Sequence, residues 1–398
     1  MIIKSKMNPS IDRDLFCDIF LAFLMASPLL LYVTPVRGMA IYIYSALVSL
    51  IAFFYLVKGV RFDVFYIFMF FGGMLLFVGG GIFIIKNDYR SLLFVFNIFV
   101  SFLMATILWR RPRVAVIASL LAMIFLFFWY IYCLFYIGYT PSSANSYLYG
   151  ASRNHVSFLL LLSLFLYYST YIYHEKRFSL IPVIFMVPVS IQLYGRSGII
   201  ISLMLFIVVV FYAILEGKAG RRILLGLLFI FLSILLFAGL KTTVFNNVGT
   251  NFGDLSSILE LESNLSSVRW EMNFEYIRSL DLSSFFFGSD LQSIQLIAEH
   301  DGNPHNSFVV GHSILGIFFL APVVALACVI CFRLLFRFGR KRLVISLLLF
   351  LLLLRASVDS LFFYSAFDFV LIYILILSFL SSGTKSGCSE RGISEDHS

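Results

Sequence analysis

The chain has 398 residues, of which 61% are hydrophobic and only 13% charged, with a formal net charge of +8. No soluble domain of this length can hide so much apolar surface, because its exterior must still face water. The composition therefore excludes a soluble enzyme or regulator and makes a lipid bilayer the solvent for most of the chain.

Apolar runs of roughly the 20 residues that cross a bilayer as a helix recur along the sequence. They predict an all-α polytopic membrane protein of about twelve transmembrane helices, eleven being the alternative count. Spans are expected over residues 15–33, 38–56, 65–85, 92–108 and 114–136, then 156–173, 180–194, 198–215 and 223–240. Three more follow a long polar stretch, over 307–332, 343–360 and 362–380, with Arg355 and Asp359 interrupting the apolar pattern of the last two. The chain thus divides into an N-terminal bundle (1–240), a large loop (241–306), C-terminal helices (307–380) and a tail (381–398). The first apolar run follows Lys4, Lys6 and Arg13 without a cleavage signal and reads as a retained helix.

Lys and Arg set the orientation. With the N-terminus inside, most of the 29 basic residues fall in cytoplasmic segments, including Arg110-Arg111-Pro112-Arg113 and the cluster from Arg333 to Arg342. The basic excess is a topology signal beside anionic lipid headgroups and carries no message about nucleic acid. Both termini are then cytoplasmic, and the two long connections, 138–155 and 241–305, lie outside. Of the five cysteines, Cys328 and Cys331 have the spacing of a redox motif, but inside an apolar run they read as small core residues.

The larger loop is long enough to fold into a cap. Within it, 267–280 reads as an amphipathic helix, with Trp270, Phe274 and Ile277 on one face and Glu271, Glu275 and Arg278 on another. Such a helix suits a membrane surface or the roof of a cavity.

In this topology the even-numbered helices begin at the outer face, where their free N–H groups lie beside Arg153, His155, Arg196 and His305-Asn306-Ser307. Helix N-termini with arginines make a site for a phosphorylated ligand. A single arginine at a membrane boundary is often only an anchor, but Arg153, Arg196 and Arg269 gather on the less basic side. His305 is the candidate base, with His300 and His312 as rivals. Asp301, His300 and His305 lack the compact spacing of a metal site, so no metal and no cofactor are expected. Arg355 and Asp359, spaced i,i+4, read as an intramembrane ion pair or a latch between helices, with Asp368 a second candidate partner.

Three features together resemble the O-antigen ligase and O-antigen polymerase superfamily of bacterial envelope glycan assembly. They are the Gly195-Arg196-Ser197-Gly198 turn, the stretch Ser267 to Met272 followed by Phe285-Phe286-Phe287-Gly288, and His305-Asn306-Ser307 with Gly316 downstream. Phe319 departs from the ligase pattern, which has a small or hydroxylated residue there, and Ser152-Arg153-Asn154-His155 inclines the reading towards the polymerase. The resemblance implies a metal-independent, inverting glycosyl transfer at the periplasmic face of the bacterial inner membrane. The donor would be an undecaprenyl-pyrophosphate-linked oligosaccharide. The acceptor would be a sugar on a lipid-linked repeat unit for a polymerase, or on the lipopolysaccharide core for a ligase. His305 would be the base and Arg196, Arg269 and Arg153 would hold the pyrophosphate, with Asn306, His155, Arg355 and Asp359 in support. Tyr147 and Tyr149 would be available to stack on sugars, and a chain-length regulator would be an expected partner. A lipid-linked oligosaccharide flippase is the rival class, although no repeat relates the two halves of the chain.

Overall fold

The structure, a computed structural model, describes residues 9–31, scattered positions between 43 and 73, 77–138, 141–148, 153–174, 176–193, 195–215, 268–335, 339–360 and, apart from 364 and 366, 362–380. The predicted spans 223–240 and most of 38–56 lie outside the described residues, as do the first part of 65–85, the loop up to 267 and the tail.

Among the described residues there are helices and no strands. In chain order the main ones are α1 (Pro9–Leu31), α2 (Phe77–Lys86), α3 (Arg90–Arg110), α4 (Pro112–Tyr136), α5 (Arg153–Tyr173), α6 (Ile181–Gln192) and α7 (Arg196–Leu215). Then come α8 (268–278), α9 (Ser307–Leu315), α10 (Ile317–Leu335), α11 (Arg340–Ser357) and α12 (Asp368–Leu380). Among the described residues four segments, Arg90–Arg110, Pro112–Tyr136, Asn154–Tyr173 and Ser197–Ile214, are long and apolar enough to cross a membrane. The chain is a helical protein of membrane character.

The packing follows from where small and hydroxyl side chains fall. On α4, Ala115, Ala118, Ser119 and Ala122 form a buried small-residue stripe, and α1 and α5 both pack closely on this helix. α5 is the central helix, with 89% of its apolar window buried against 39% for α4. Its buried hydroxyls return to its own backbone, as Ser163 does to the Leu159 carbonyl and Thr170 to that of Leu166. α12 packs on α3 and α5, and α11 on α7, α5 and α12. At Arg111 the chain turns from α3 into α4, with Pro112 at the first helical position, and the Arg111 guanidinium pairs with Asp18 of α1 at 2.7 Å.

Four expectations need correction. The segment at 180–194 forms a helix of only 12 residues, about 18 Å long at 1.5 Å per residue, shorter than a bilayer core. The segment at 307–332 is not one helix but two, broken at Gly316. There φ is +59°, and a Cβ would meet the Phe286 carbonyl oxygen at 2.1 Å. The freed Ser313 carbonyl accepts a hydrogen bond from Lys86 Nζ at 2.7 Å. The last helix starts at Asp368, not near 362, because its carboxylate accepts the N–H groups of Phe363 and Ser365 and folds 363–367 into a turn. Cys328 and Cys331 lie exposed on α10 and not in a core.

Candidate functional site

Three helix N-termini and the end of α11 meet at one end of the bundle, and Arg355 is what joins them. Its side chain is only 1% exposed. One terminal nitrogen donates to the Ser197 hydroxyl at the start of α7. The other donates to the Asn154 carbonyl at the start of α5, at 3.3 Å, and to Asp359 Oδ2, at 3.0 Å. The Asp359 carbonyl in turn accepts from the Ser307 N–H, at 3.1 Å, and from its hydroxyl, which brings in the start of α9. Asp368 is not the partner of Arg355, since both its carboxylate oxygens serve backbone N–H groups of its own turn.

The glycines of the Gly195-Arg196-Ser197-Gly198 turn have a packing reason. A Cβ on Gly195 would stand 2.4 Å from Asn154 Oδ1, and one on Gly198 would stand 2.6 Å from the Ser157 hydroxyl. Any larger residue at either position would make the Asn154 or Ser157 side chain move, so the glycines keep α7 and the first turn of α5 in this arrangement. The backbones of Arg153 and Arg196 open α5 and α7, and their side chains lie outside the described part of the structure. Among the described residues, Asn154 Oδ1 and Arg355 Nε are buried here without a hydrogen-bond partner.

His305 occupies the edge of this cluster, one residue before the cap of α9. Asn306 is that cap, its Oδ1 accepting from the N–H groups of Phe308 and Val309. His305 has φ +51°, in the left-handed region that is uncommon outside glycine, and a hydrogen bond to its backbone holds it there. The hold comes from Asn303, whose Oδ1 accepts the His305 N–H at 2.9 Å. Partial burial lowers the pKa of the imidazole from its ordinary value, and the charge of Arg269 lowers it further, against an opposing pull from Asp359. His300 and His155 act on it in the same direction as Arg269. His305, Arg269, His155 and Asp359 therefore share one electrostatic neighbourhood, which Arg269 extends to Arg355. A neutral imidazole beside fixed positive charge and helix N-termini can take a proton from a hydroxyl while its surroundings attract an anion.

No family model, no curated protein and no solved structure matches this chain. The chemistry of the site therefore rests on its own geometry.

That geometry disposes of one rival histidine, His312, while the single bond of His300 leaves its Nε2 as the basic nitrogen. The His312 Nε2–H donates to the Phe285 carbonyl at 3.1 Å, so Nδ1 is the acceptor for the Tyr276 hydroxyl at 2.6 Å. Burial pushes the Tyr276 phenol up to about 12, which keeps it a donor. Both ring nitrogens of His312 are thus spent on fastening the loop, at Tyr276 of α8 and at Phe285 beyond it, to α9. His300 donates Nδ1–H to the Leu296 carbonyl at 3.0 Å. Among the described residues no group of three or more His, Cys, Asp or Glu side chains is placed to hold a metal ion.

Tyr147 is also spoken for. It is buried, with its hydroxyl on the Gly138 carbonyl at 2.5 Å and its own carbonyl accepting from Trp129, so it has no face for a sugar. Tyr149 lies outside the described residues. The loop helix α8 buries Met272 and Tyr276 against Leu291, Ile297 and Val309, leaving Trp270, Phe274 and Ile277 outward and exposed. Gly288 and Gly316 lock the loop to the bundle, since a Cβ on Gly288 would meet the Ser313 carbonyl at 2.3 Å. Sequence reasoning missed Ser197 and the Asn154 carbonyl as Arg355 partners, and Asn303 as the support of His305. Only their proximity to motif residues hinted at them.

Proposed function

We propose that the chain is an O-antigen polymerase. It transfers an undecaprenyl-pyrophosphate-linked glycan onto a lipid-linked repeat unit at the periplasmic face of the bacterial inner membrane. The single observation that carries this reading is the gathering of a neutral-leaning His305, Arg269 and the starts of α5, α7 and α9 at one end of an apolar bundle. In this reading the apolar helices cross the membrane, with α6 too short to cross it unaided, the large loop is periplasmic, and the bundle end that carries the site faces the same compartment.

The proposed reaction needs few parts. His305 accepts the proton of the acceptor hydroxyl, whose oxygen attacks the anomeric carbon of the donor from the face opposite the leaving group. The anomeric carbon–oxygen bond breaks, and its electron pair leaves with the pyrophosphate, so the configuration inverts. Arg196, Arg269 and Arg153, together with the helix N-termini, stabilise the charge that grows on the pyrophosphate. His155 and Asp359 tune the field at His305, while Asn306 and Arg355 hold the helix starts in register.

The lipopolysaccharide banding pattern tests this directly, in a strain deleted for the gene and restored with wild type or His305→Ala. A polymerase predicts loss of the ladder with a single core-plus-one-unit band, rescued by wild type and not by His305→Ala. Loss of every unit from the core, with polymer accumulating on the carrier, would make the protein a ligase. Loss of every unit from the core, with single unpolymerised units left on the carrier, would favour the flippase, and an unchanged ladder would remove all three readings.

A further inference from the structure

Two buried groups near the site have no part in the proposed reaction: the Tyr276 phenol and the His312 imidazole, joined by a hydrogen bond of 2.6 Å. Their place on the helices gives that bond a consequence beyond packing. Tyr276 stands seven residues after Arg269, two turns of α8, so the two side chains leave the helix within about 20° of one another. Met272 lies between them and is buried with Tyr276 in the apolar cluster of the loop. Trp270, Phe274 and Ile277 leave α8 on another face and are exposed. The rotation of α8 that buries Tyr276 is therefore the rotation that turns Arg269 inward, where its charge acts on both His305 and Arg355.

Apolar contacts fix such a rotation only loosely, because they are non-directional. A hydrogen bond is directional. The His312 ring cannot follow a roll of α8, since its backbone belongs to α9 and its Nε2–H is held by the Phe285 carbonyl at 3.1 Å. Its other nitrogen offers the Tyr276 hydroxyl one position. A helix with its side chains is about 10–12 Å across, so a roll of about 30° carries a side-chain tip about 3 Å. That displacement takes a guanidinium from hydrogen-bond contact with an anion to out of reach.

We propose that the hydrogen bond between Tyr276 and His312 aims Arg269 at the site, which makes both of them positioning residues for the arginine. The aim of Arg269 at His305 holds whatever the protein transfers. Its use on a pyrophosphate rests on the glycosyl-transfer reading above.

The titration of His305 reads the aim of Arg269 without any assay of function. The full chain in lipid nanodiscs is treated with diethyl pyrocarbonate across a pH series, and modification of the His305 peptide is followed by mass spectrometry, since neutral imidazole is the reactive form. Tyr276→Phe removes the hydroxyl and keeps the ring. It should move the His305 midpoint to higher pH, as Arg269→Gln does, because the guanidinium no longer disfavours the imidazolium. Tyr276→Phe combined with Arg269→Gln should move it no further than Arg269→Gln alone, since both changes act through one interaction. His312→Leu removes the acceptor from the other side and should match Tyr276→Phe. Ile297→Val loosens the same apolar cluster without touching the bond, so it should lower thermal stability and leave the midpoint in place. Transfer of lipid-linked repeat units should fall about tenfold or more in Tyr276→Phe, as misplacing a binding group by about 1 Å can do. A midpoint unmoved in folded Tyr276→Phe, or a double variant in which the two shifts add, overturns the aiming role. Failure of both Tyr276→Phe and His312→Leu to fold overturns it too, since the bond would then be a prop of the fold. Wild-type protein that transfers no repeat units overturns the proposed function alone, because the titration needs no substrate.

Discussion

Arg355→Met removes the guanidinium that ties α5, α7 and Asp359 together while keeping an unbranched side chain in place. The Asp359 carboxylate loses the partner that stands 3.0 Å away, and it is left 9% exposed with a single backbone N–H, that of Ser360. Breaking a buried ion pair from one side costs about 3–5 kcal/mol, because the remaining charge is uncompensated. The Ser197 hydroxyl and Asn154 carbonyl lose a donor at the same time, which argues for the upper part of that range. Arg355→Met/Asp359→Leu removes both charges and should recover most of the loss, with about 1 kcal/mol outstanding for the Ser360 N–H. Arg355→Lys should fall between, since a point charge can face Asp359 but cannot span all three partners. Thermal unfolding of the purified chain in one detergent measures the cycle, and the lipopolysaccharide ladder reads the effect on the helix starts. If Arg355→Met costs no more than an ordinary surface change of about 0.5 kcal/mol, the joining role assigned to Arg355 is wrong.

The remaining predictions concern the base, the cap, the loop and the lipid face. In the proposed reaction, transfer should persist below the ordinary histidine value of about 6.5, then fall as pH drops through the lowered value of His305. Arg269→Gln removes one lowering influence, so the acid limb of the pH–rate profile should move to higher pH. The rate itself should drop about 100-fold or more through the lost anion contact; an acid limb that stays put would separate Arg269 from His305. Asn306→Ala should cost about 0.5–2 kcal/mol in thermal stability and Asn306→Asp much less, because only alanine abandons the Phe308 and Val309 N–H groups. Gly288→Ala should destabilise by at least about 1–3 kcal/mol, since its φ of +81° and ψ of 166° lie in a region reserved for glycine and the Ser313 carbonyl blocks a Cβ. With Trp109 and Trp129 changed to phenylalanine, the fluorescence of Trp270, 67% exposed on α8, should be quenched by brominated lipid if that helix lies on the bilayer surface. Quenching by aqueous iodide alone would point it at water instead.

Much of this architecture is written locally. An apolar run of bilayer length makes a helix wherever it occurs, so α1, α3, α4, α5, α7 and α11 lie close to where hydropathy puts them. The amphipathic period of 267–280 likewise places α8, and polar residues at the breaks between runs mark the helix starts that carry Arg153, Arg196 and His305. These features need only near neighbours in the chain. The break at Gly316 does not, because the apolar pattern runs on through it; Phe286 and Gly288 press against it from outside. The late start of α12 depends on which N–H groups the Asp368 carboxylate captures. The partners of Arg355 at Ser197 and Asn154 lie 158 and 201 residues away, and composition gives no reason to choose them over Asp368. The same is true of the hydrogen bonds that commit His312 to Tyr276 and Phe285. The sequence by itself determined which residues bring charge and hydrogen-bonding capacity to the helix ends. Tertiary structure alone decided which of them meet, because burial and pairing in a bundle depend on contacts between segments remote along the chain.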